Sequence, residues 1–265
     1  HAIVVHRINE CDERKNTKLM NLRLKLINCI SDHTVFIASW LKHLNLWNPS
    51  VDNSSIILNG ADKNIFNMNN KEPWHINKKL KLVTHHWAGN YMKGFDVYSK
   101  IDNMLSSAEW NDKISFTYIG NLPSGFEFKN SSYYPPIQGE KLASQLKNHH
   151  VYITGSINEP AGMHHIEGAN CGLPLLYRNS GALPEYCKNY GLEFNLNNLP
   201  DMISRIISEY EYFYKKIKSY PHTSNKMCGE YIKLFNKLIN EKDSYIKRRN
   251  IYQNKLIRFF SALSF

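Results

Sequence analysis

The sequence predicts an α/β fold, in which the strands of a sheet alternate with helices along the chain. Short runs of β-branched residues alternate with stretches whose apolar residues recur every three or four positions. Of the 265 residues, 42% are hydrophobic and 21% are charged, so the chain can bury a substantial core. At about 150 residues per domain, this length fits one large domain or two small ones.

The first elements are predicted upstream of a polar stretch that contains Pro49. Ser39 is predicted to cap a short helix that ends near residue 46. A hinge is predicted between about residues 48 and 75, around the Asn59-Gly60 turn. The elements predicted before it are a strand at 2–6, a helix at 17–30, a strand at 34–38 (TVFIA) and an extended run at 56–58.

A second α/β unit is predicted after the hinge. Beyond Pro200 the chain is predicted to be helical, with two apolar stripes: Ile203, Ile206, Ile207, Tyr210, Tyr214 and Ile217, then Tyr231, Ile232, Phe235, Leu238 and Ile239. A basic segment at 247–265 closes the chain. The elements predicted in this unit are strands at 81–85, 114–119, 151–154 and 173–177, and helices at 94–105, 141–148, 160–169 and 183–189.

Charge and cysteine content narrow the function classes. A net charge of +10 favours an anionic ligand, nucleic acid or an acidic membrane surface. Five cysteines without a CxxC pair argue against a disulfide framework and for a reducing compartment, so we expect a cytoplasmic protein. No apolar run reaches the ~18 residues of a membrane span. The chain starts at His1 without a signal-peptide pattern, and we expect it to be incomplete at its N-terminus.

The segment at 151–186 (VYITGSINEPAGMHHIEGANCGLPLLYRNSGALPEY) carries the most chemical information. A strand is predicted to end near Thr154, and Pro160 suits the first turn of the following helix. Gly162 lets a ligand approach the backbone closely. A helix N-terminus just past the carboxyl end of a strand is a natural site for an anion.

Glu159 and Glu167 flank this predicted anion site. If both lie on one helix, a rise of ~1.5 Å per residue separates them by about 12 Å. This is wider than the ~5–9.5 Å of a carboxylate pair in a glycoside hydrolase. The spacing better suits the two ends of one long ligand, with sugar hydroxyls at one acid, ribose hydroxyls at the other and a diphosphate between them.

This region resembles the E-x7-E segment of group 1 retaining glycosyltransferases, the glycogen-synthase-like enzymes. The resemblance rests on Glu159-Pro160-x-Gly162-Met163-x-x-x-Glu167, on the following Gly-Ala-x-Cys-Gly-Leu-Pro turn at 168–174, and on Ser180-Gly181 with Pro184-Glu185. It extends over about residues 1–240. It implies the GT-B architecture of two Rossmann-like domains, of which this chain holds the C-terminal domain and the tail of the N-terminal one. The implied division is an acceptor-domain remnant at 1–58, a donor-binding domain at 59–222 and C-terminal helices at 223–265 that pack back toward the N-terminal domain.

The resemblance also implies roles for single residues. Glu159 would contact the transferred sugar, and His6 would face that sugar from the cleft, so both are catalytic candidates. Glu167 would hold the ribose and Lys93 the departing diphosphate. Where the family has an Arg about five residues before the Lys, this chain has Ala88, and Asn90 or His86 is the expected substitute. The remaining donor-binding candidates are Gly120 beside the base, and Ala161, Gly162, Met163 and His164 around the phosphates and sugar.

The implied reaction moves a hexosyl unit from a nucleoside-diphosphate sugar to a hydroxyl of a glycan or a lipid-linked acceptor, with retention and without a metal or other cofactor. Adjacent His164 and His165 point about 100° apart on a helix and do not readily share a metal ion. Three alternatives stay open: a nucleotide-sugar epimerase of the same architecture, a non-catalytic sugar-nucleotide-binding protein and a basic nucleic-acid-binding protein. The basic residues are solvated helix faces or a peripheral contact with an anionic membrane. No nucleic-acid-binding module is recognisable, so nucleic acid is not the expected partner.

Closure of a cleft between two domains normally completes such a site and excludes water. We therefore expect the 265-residue chain to transfer sugar weakly or not at all by itself. An assay that follows release of the nucleoside diphosphate in the presence of an acceptor measures this. Robust transfer by the chain alone would contradict the expectation.

Overall fold

The computed structural model describes residues 2–28, 30–44, 46–47 and 53–249. By internal contacts the chain divides into two compact units, residues 1–59 with 225–265, and residues 60–224. The sequence places the corresponding boundaries after residues 58 and 222. Where the chain enters and leaves the second unit, Ala61 and Thr223 form an isolated parallel bridge.

The first unit begins with a three-stranded parallel sheet in the order β1-β2-β3. Its first strand begins at Val5 rather than residue 2, because the pairing with the second strand starts at Val5 and His33. Ser39 is the first helical residue and not the cap, a position held by Ala38 in an extended conformation. The elements are β1 Val5–Ile8, α1 Asp12–Lys15, α2 Met20–Asn28, β2 His33–Phe36, α3 Ser39–His43 and β3 Ser54–Ile56.

The second unit is a six-stranded parallel sheet with helices between its strands. A 3₁₀ turn, Tyr91–Lys93, precedes its first helix. The elements are β4 Leu80–His86, α4 Phe95–Met104, α5 Ala108–Lys113, β5 Ile114–Gly120, β6 Ser132–Tyr134, α6 Gly139–Lys147, β7 Val151–Thr154, α7 Met163–Asn170, β8 Leu175–Arg178, α8 Leu183–Cys187, β9 Gly191–Phe194, α9 Leu199–Ser208 and α10 Tyr210–Ile217.

The strand order of this sheet is β6-β5-β4-β7-β8-β9, and every pair in it is parallel. Counted within the unit, the order is 3-2-1-4-5-6, that of a doubly wound Rossmann sheet. The direction of winding reverses between β4 and β7, so the connections that follow these two strands diverge. A crevice therefore opens beyond their carboxyl ends, where such sheets bind ligands.

The hydrophobic core of the second unit lies between the sheet and the helices on one of its faces. Phe95, Tyr98 and Ile101 of α4 and Ile203 and Ile206 of α9 are buried in it. Their spacing of three or four residues is the pattern that predicted these helices. The strand residues in the same cluster are Leu80, Leu82, Ile114, Phe116, Tyr118, Val151, Ile153, Leu176, Leu192 and Phe194.

Several short elements differ from the sequence prediction. The helical run predicted beyond residue 200 divides into α9 and α10 at Glu209. The sequence analysis did not predict α1, α5, β6 or β9. The three residues of β6 are all exposed, so they carry no apolar alternation that could reveal a strand.

Two helices after residue 223 belong to the first unit, α11 Ser224–Asn240 and α12 Lys242–Arg249. Only part of the predicted apolar stripe on α11 is buried. Leu238 is buried, whereas Ile232, Phe235 and Ile239 are exposed. The predicted basic segment at 247–265 lies outside the described residues from 250 onward. Within the described part of the chain, no helix combines the length and hydropathy needed to cross a membrane.

Lys71 is a buried cation in the second unit. Its Nζ donates a hydrogen bond to the Glu72 carbonyl at 2.8 Å, and 8% of the residue is exposed. Burial disfavours the charged ammonium and lowers the pKa of Lys71 from 10.5 to about 8. Between pH 8 and 10.5 the unfolded chain binds more protons than the folded chain, so folded-state stability rises with pH across this window.

We expect Lys71→Met to raise the melting temperature at pH 7, where the folded chain holds a desolvated charge. The gain over wild type shrinks as pH rises from 8 toward 10.5, because wild-type Lys71 then loses its proton. Thermal unfolding at pH 7 and pH 10 measures both effects. Lys215→Met, on the exposed side of α10, is the matched control and changes stability by less than about 0.5 kcal/mol. A melting temperature below wild type for Lys71→Met at pH 7 would contradict the prediction.

Candidate functional site

A pocket of about 450 Å³ lies at the carboxyl ends of β4 and β5 and at the start of α7. This is the crevice that the reversal between β4 and β7 creates. The volume falls within the ~300–1,000 Å³ of ligand sites. The walls are Ile65, Phe66, His85, His86, Trp87, Lys93, Ile119, Gly120, Pro136, Ile137, Gln138, Gly139, Leu142, Gly162, Met163, His164 and Glu167.

The loop between β7 and α7 forms one side of the pocket. Asn158 has a positive φ of 49° and Gly162 is extended, so the chain does not become helical until Met163. The predicted helix start at Pro160 is therefore wrong. The spacing of about 12 Å between Glu159 and Glu167 assumed one continuous helix and so no longer follows. The Ser180 hydroxyl accepts a hydrogen bond from the Asn158 N–H at 2.8 Å and holds the loop in place.

The N-terminus of α7 opens into this pocket. Gly162 and Met163 line the wall, and no described group accepts a hydrogen bond from the backbone N–H of Gly162, Met163 or His164. Unpaired N–H groups and the helix dipole together favour a bound anion. The open helix N-terminus predicted from the sequence is present, although the helix starts three residues later than predicted, and anion binding there stays a prediction.

Lys93 and Glu159 form a buried ion pair beside the helix start. The Nζ of Lys93 lies 3.3 Å from Oε2 of Glu159, and their side chains are 15% and 4% exposed. Glycines allow this approach, because a Cβ on Gly94 would lie 2.4 Å from the Gly155 backbone. Among the described residues that line the pocket, Lys93 is the one Lys or Arg.

Glu167 is held by a histidine from the neighbouring strand. Nε2 of His85 lies 2.8 Å from Oε2 of Glu167. On its other side, Nδ1 of His85 lies 3.2 Å from the Tyr152 hydroxyl. This hydroxyl also accepts a hydrogen bond from the His85 N–H at 3.0 Å. Three elements, β4, β7 and α7, therefore determine the position of one carboxylate.

The other pocket histidines are buried and hydrogen-bonded. Nε2 of His164 lies 2.9 Å from the Thr154 hydroxyl, and Nε2 of His86 lies 2.6 Å from the Tyr98 hydroxyl. Burial, reinforced by His86, holds the pKa of His164 well below its usual value, so the ring is neutral. The neighbouring His165 does not line the pocket, and neither of its buried ring nitrogens has a hydrogen-bond partner among the described residues. Burial lowers the pKa of His165 to about 3. Within the described parts of the chain, no group of three or more His, Cys, Asp or Glu side chains is arranged to hold a metal ion.

The structure brings many of the predicted site residues together. Six of them line the pocket: Lys93, Gly120, Gly162, Met163, His164 and Glu167. Glu159 lies behind the wall and reaches it through Lys93. Its carboxyl carbon would be 2.9 Å from a Cβ placed on Gly162, and Nδ1 of His164 would be 2.6 Å from the same point. Glu159, His164 and the helix start therefore converge at Gly162.

Three predicted residues lie off this wall. Asn90 is exposed, and its carbonyl accepts a hydrogen bond from the Lys93 N–H at 2.9 Å. Ala161 is buried at 4% exposure without lining the pocket. His6 belongs to the first unit, where its Nδ1 lies 2.6 Å from Oδ1 of Asn28. The roles of these three residues stay predictions.

Sequence reasoning missed the apolar wall of the pocket and the contact between His85 and Glu167. Pro136 and Ile137 of this wall follow β6, and because that exposed strand was not predicted, nothing marked the residues after it as a sheet edge. The sequence analysis gives His85 no role, although its place at the carboxyl end of a predicted parallel strand is the signal that could have identified it. The apolar side chains of the pocket wall are Ile65, Phe66, Ile119, Pro136, Ile137 and Leu142.

Solved structures of similar fold match most of the chain. Sucrose-phosphate synthase from Thermosynechococcus elongatus is 16% identical, and the match covers 89% of this chain and 68% of the synthase with a TM-score of 0.65. Anabaena HepE, solved with UDP-glucose, is 13% identical, and the match covers 89% of this chain and 72% of HepE with a TM-score of 0.70. TarM is 14% identical, and the match covers 89% of this chain and 50% of TarM with a TM-score of 0.66. At sequence identities this low, structural similarity shows a shared fold and not a shared function. The chain has the GT-B fold.

The GT-B assignment confirms the predicted α/β, Rossmann-like fold class. The match covers about half of TarM and about 70% of the other two chains. No family model matches the sequence, and no curated protein matches it. The likeness is therefore one of three-dimensional structure.

We expect Lys93→Met to lower the free energy of unfolding by on the order of 3 kcal/mol, because it leaves the buried Glu159 carboxylate without its cation. Adding Glu159→Gln to this variant restores much of the loss, since it removes the buried charge. Urea unfolding at pH 7 measures both variants. Lys113→Met is the matched control, because Lys113 pairs with Glu109 at 3.0 Å on the exposed surface of α5 and such pairs contribute little. Equal losses for Lys93→Met and Lys113→Met would refute the assignment.

Proposed function

We propose that this chain is the donor-binding part of a retaining glycosyltransferase, which moves a hexosyl unit from a nucleoside-diphosphate sugar to a hydroxyl of a glycan or glycolipid. The observation that carries the proposal is the pocket at the β4/β7 reversal. Its walls combine apolar side chains at the ends of β5 and β6, Lys93 beside the open N-terminus of α7, and Glu167. Apolar surface for a base, a cation with a helix N-terminus for a diphosphate and a carboxylate for the ribose match the parts of one ligand.

The proposed donor lies along the pocket in the order of its chemistry. The base packs among Ile119, Pro136 and Ile137, which offer apolar surface. The ribose hydroxyls donate to Glu167, which accepts hydrogen bonds when ionised. The diphosphate meets the N-terminus of α7 and Lys93. Glu159, which converges with His164 at Gly162, accepts hydrogen bonds from the sugar hydroxyls.

In the proposed reaction the bond between the anomeric carbon and the β-phosphate oxygen breaks, and a bond to the acceptor oxygen forms. The acceptor proton passes to the departing diphosphate. Negative charge grows on that diphosphate as the bond lengthens, and Lys93 and the α7 N–H groups are placed to stabilise it. A cation and a helix N-terminus together perform this task without a metal ion. Retention and metal independence remain parts of the proposal.

UDP-glucose is the first donor to test, because the similar fold of HepE was solved with it. A pneumococcal O-GlcNAc transferase, which matches this chain at a TM-score of 0.59, was solved in complex with UDP and GlcNAc. The proposed acceptors include lipid-linked glycans, and the net charge of +10 supports peripheral contact with the anionic membrane that carries them.

We expect one of UDP, GDP and ADP, with its hexose conjugate, to raise the melting temperature. A ligand at 100 times its dissociation constant adds about 2.7 kcal/mol to stability. Glu167→Ala weakens that binding about tenfold to a hundredfold, because hydrogen bonds to a charged group are lost. Titration calorimetry measures the affinities, and repeating it with EDTA tests metal independence. Glu211→Ala, at an exposed carboxylate on α10, is the control and leaves affinity unchanged.

The proposal is wrong if none of these nucleotides binds. Proton NMR of a sample incubated with the bound donor then separates the remaining alternatives. A transferase gives a new glycoside with the donor's anomeric configuration once an acceptor is added. An epimerase changes the hexose while it is still attached to the nucleotide, and a non-catalytic binding protein changes nothing.

A further inference from the structure

His85 has no role in the proposed binding of the donor, yet it contacts a residue that does. Its Nε2 lies 2.8 Å from Oε2 of Glu167, with side-chain exposures of 11% and 18%. The two residues are 82 positions apart and come from β4 and α7. A contact of this length between two largely buried groups from different elements restricts both side chains.

The chemistry of the contact determines where the proton lies. An ionised carboxylate only accepts hydrogen bonds, so Nε2 of His85 is the donor to Glu167. On the other side of the ring, Nδ1 faces the Tyr152 hydroxyl at 3.2 Å. That residue is fully buried, and burial raises the pKa of its phenol, so the hydroxyl keeps its proton and can donate it to Nδ1.

Tyr152 also ties the ring to the backbone. Its hydroxyl accepts a hydrogen bond from the His85 N–H at 3.0 Å, and its one proton is shared between the His85 carbonyl and Nδ1, each 3.2 Å away. The imidazole is therefore held by Glu167 at Nε2 and lies against this hydroxyl at Nδ1, on a strand whose register with β7 is set by the sheet. His85 has little freedom to turn away from Glu167.

This arrangement leaves one oxygen of Glu167 for a ligand. Oε2 accepts from His85, whereas Oε1 has no hydrogen-bond partner among the described residues. Glu167 and His85 both line the pocket. A glutamate without this contact would sample several rotamers, and ordering it on binding would cost side-chain entropy. Holding the carboxylate beforehand removes that cost from the binding of the ligand.

We propose that His85 is a positioning residue for Glu167, which orients the carboxylate so that its second oxygen receives the ribose hydroxyls of a bound nucleoside diphosphate. This inference rests on the proposed function, because it requires a ribose at Glu167. It adds a residue that touches the donor only through another side chain. Tyr152, from β7, fixes the orientation of the ring.

The test compares two ligands, UDP and 2′,3′-dideoxyuridine diphosphate, which lacks both ribose hydroxyls. We expect wild type to bind UDP at least tenfold more tightly than the dideoxy analogue. In His85→Leu this preference falls to about twofold, because UDP binding weakens while binding of the analogue is unchanged. His85→Gln restores most of the preference, since the side-chain amide can donate to Glu167. A variant that only disturbed the pocket would weaken both ligands equally.

The outcomes separate the two proposals. If wild type binds UDP with a ribose preference and His85→Leu keeps it, the positioning role is wrong and the proposed function stands. If wild type binds GDP or ADP instead of UDP, the same comparison is made with that nucleotide and its 2′,3′-dideoxy analogue. If wild type binds none of the three nucleotides, the proposed function fails and the inference fails with it.

A double-mutant cycle provides a readout that needs no ligand. His85→Leu and Glu167→Gln are each measured by urea unfolding, alone and together. We expect their effects on stability to be non-additive, because they remove the same contact. Additive effects would overturn the contact on which the positioning role depends.

Discussion

The pairing of β4 with β7 is the constraint on which the candidate site depends. Leu82 pairs with Val151 and Val83 with Tyr152, so the two strands lie side by side although about 70 residues separate them. Both run in the same direction, and their carboxyl ends meet at one edge. The end of β4 supplies His85 and His86 and the chain after it supplies Lys93. The chain after β7 supplies Glu159 and the start of α7. If β4 and β7 were not neighbours in the sheet, these groups would not lie in one pocket.

The same adjacency explains how charges are tolerated at a largely buried site. Lys93 lies against Glu159 and Glu167 lies against His85, so each carboxylate has a partner across the crevice. Isolated buried charges would cost several kcal/mol each. The remaining polarity comes from the N–H groups of α7, which carry no net charge to bury. An anion that enters this pocket meets a helix N-terminus and a lysine that already has a carboxylate neighbour, so its binding depends on competition for Lys93.

The sequence analysis predicted an element well where its residues carry a local pattern of burial, and poorly where they do not. Buried strands with continuous apolar runs were predicted closely, and Val151–Thr154 matches residue for residue. The start of α7 was placed three residues too early, because Pro160 fits a first helical turn, but Asn158 and Gly162 keep the loop extended. The exposed strand β6 was missed, since no burial pattern marks it. Because β6 was not predicted, the sequence analysis also missed Pro136 and Ile137, which line the pocket.

The sequence by itself determined the α/β class and most of the buried strands and helices, because periodicity and turn residues depend on neighbours within a few positions. The tertiary structure alone decided which groups meet. Lys93 reaches Glu159 across 66 positions and His85 reaches Glu167 across 82. Such contacts depend on the order and register of parallel strands, which the side chains of any one strand do not encode. The donor-site candidates were therefore readable from the chain, whereas the residue that holds Glu167 in place became visible only in the folded sheet.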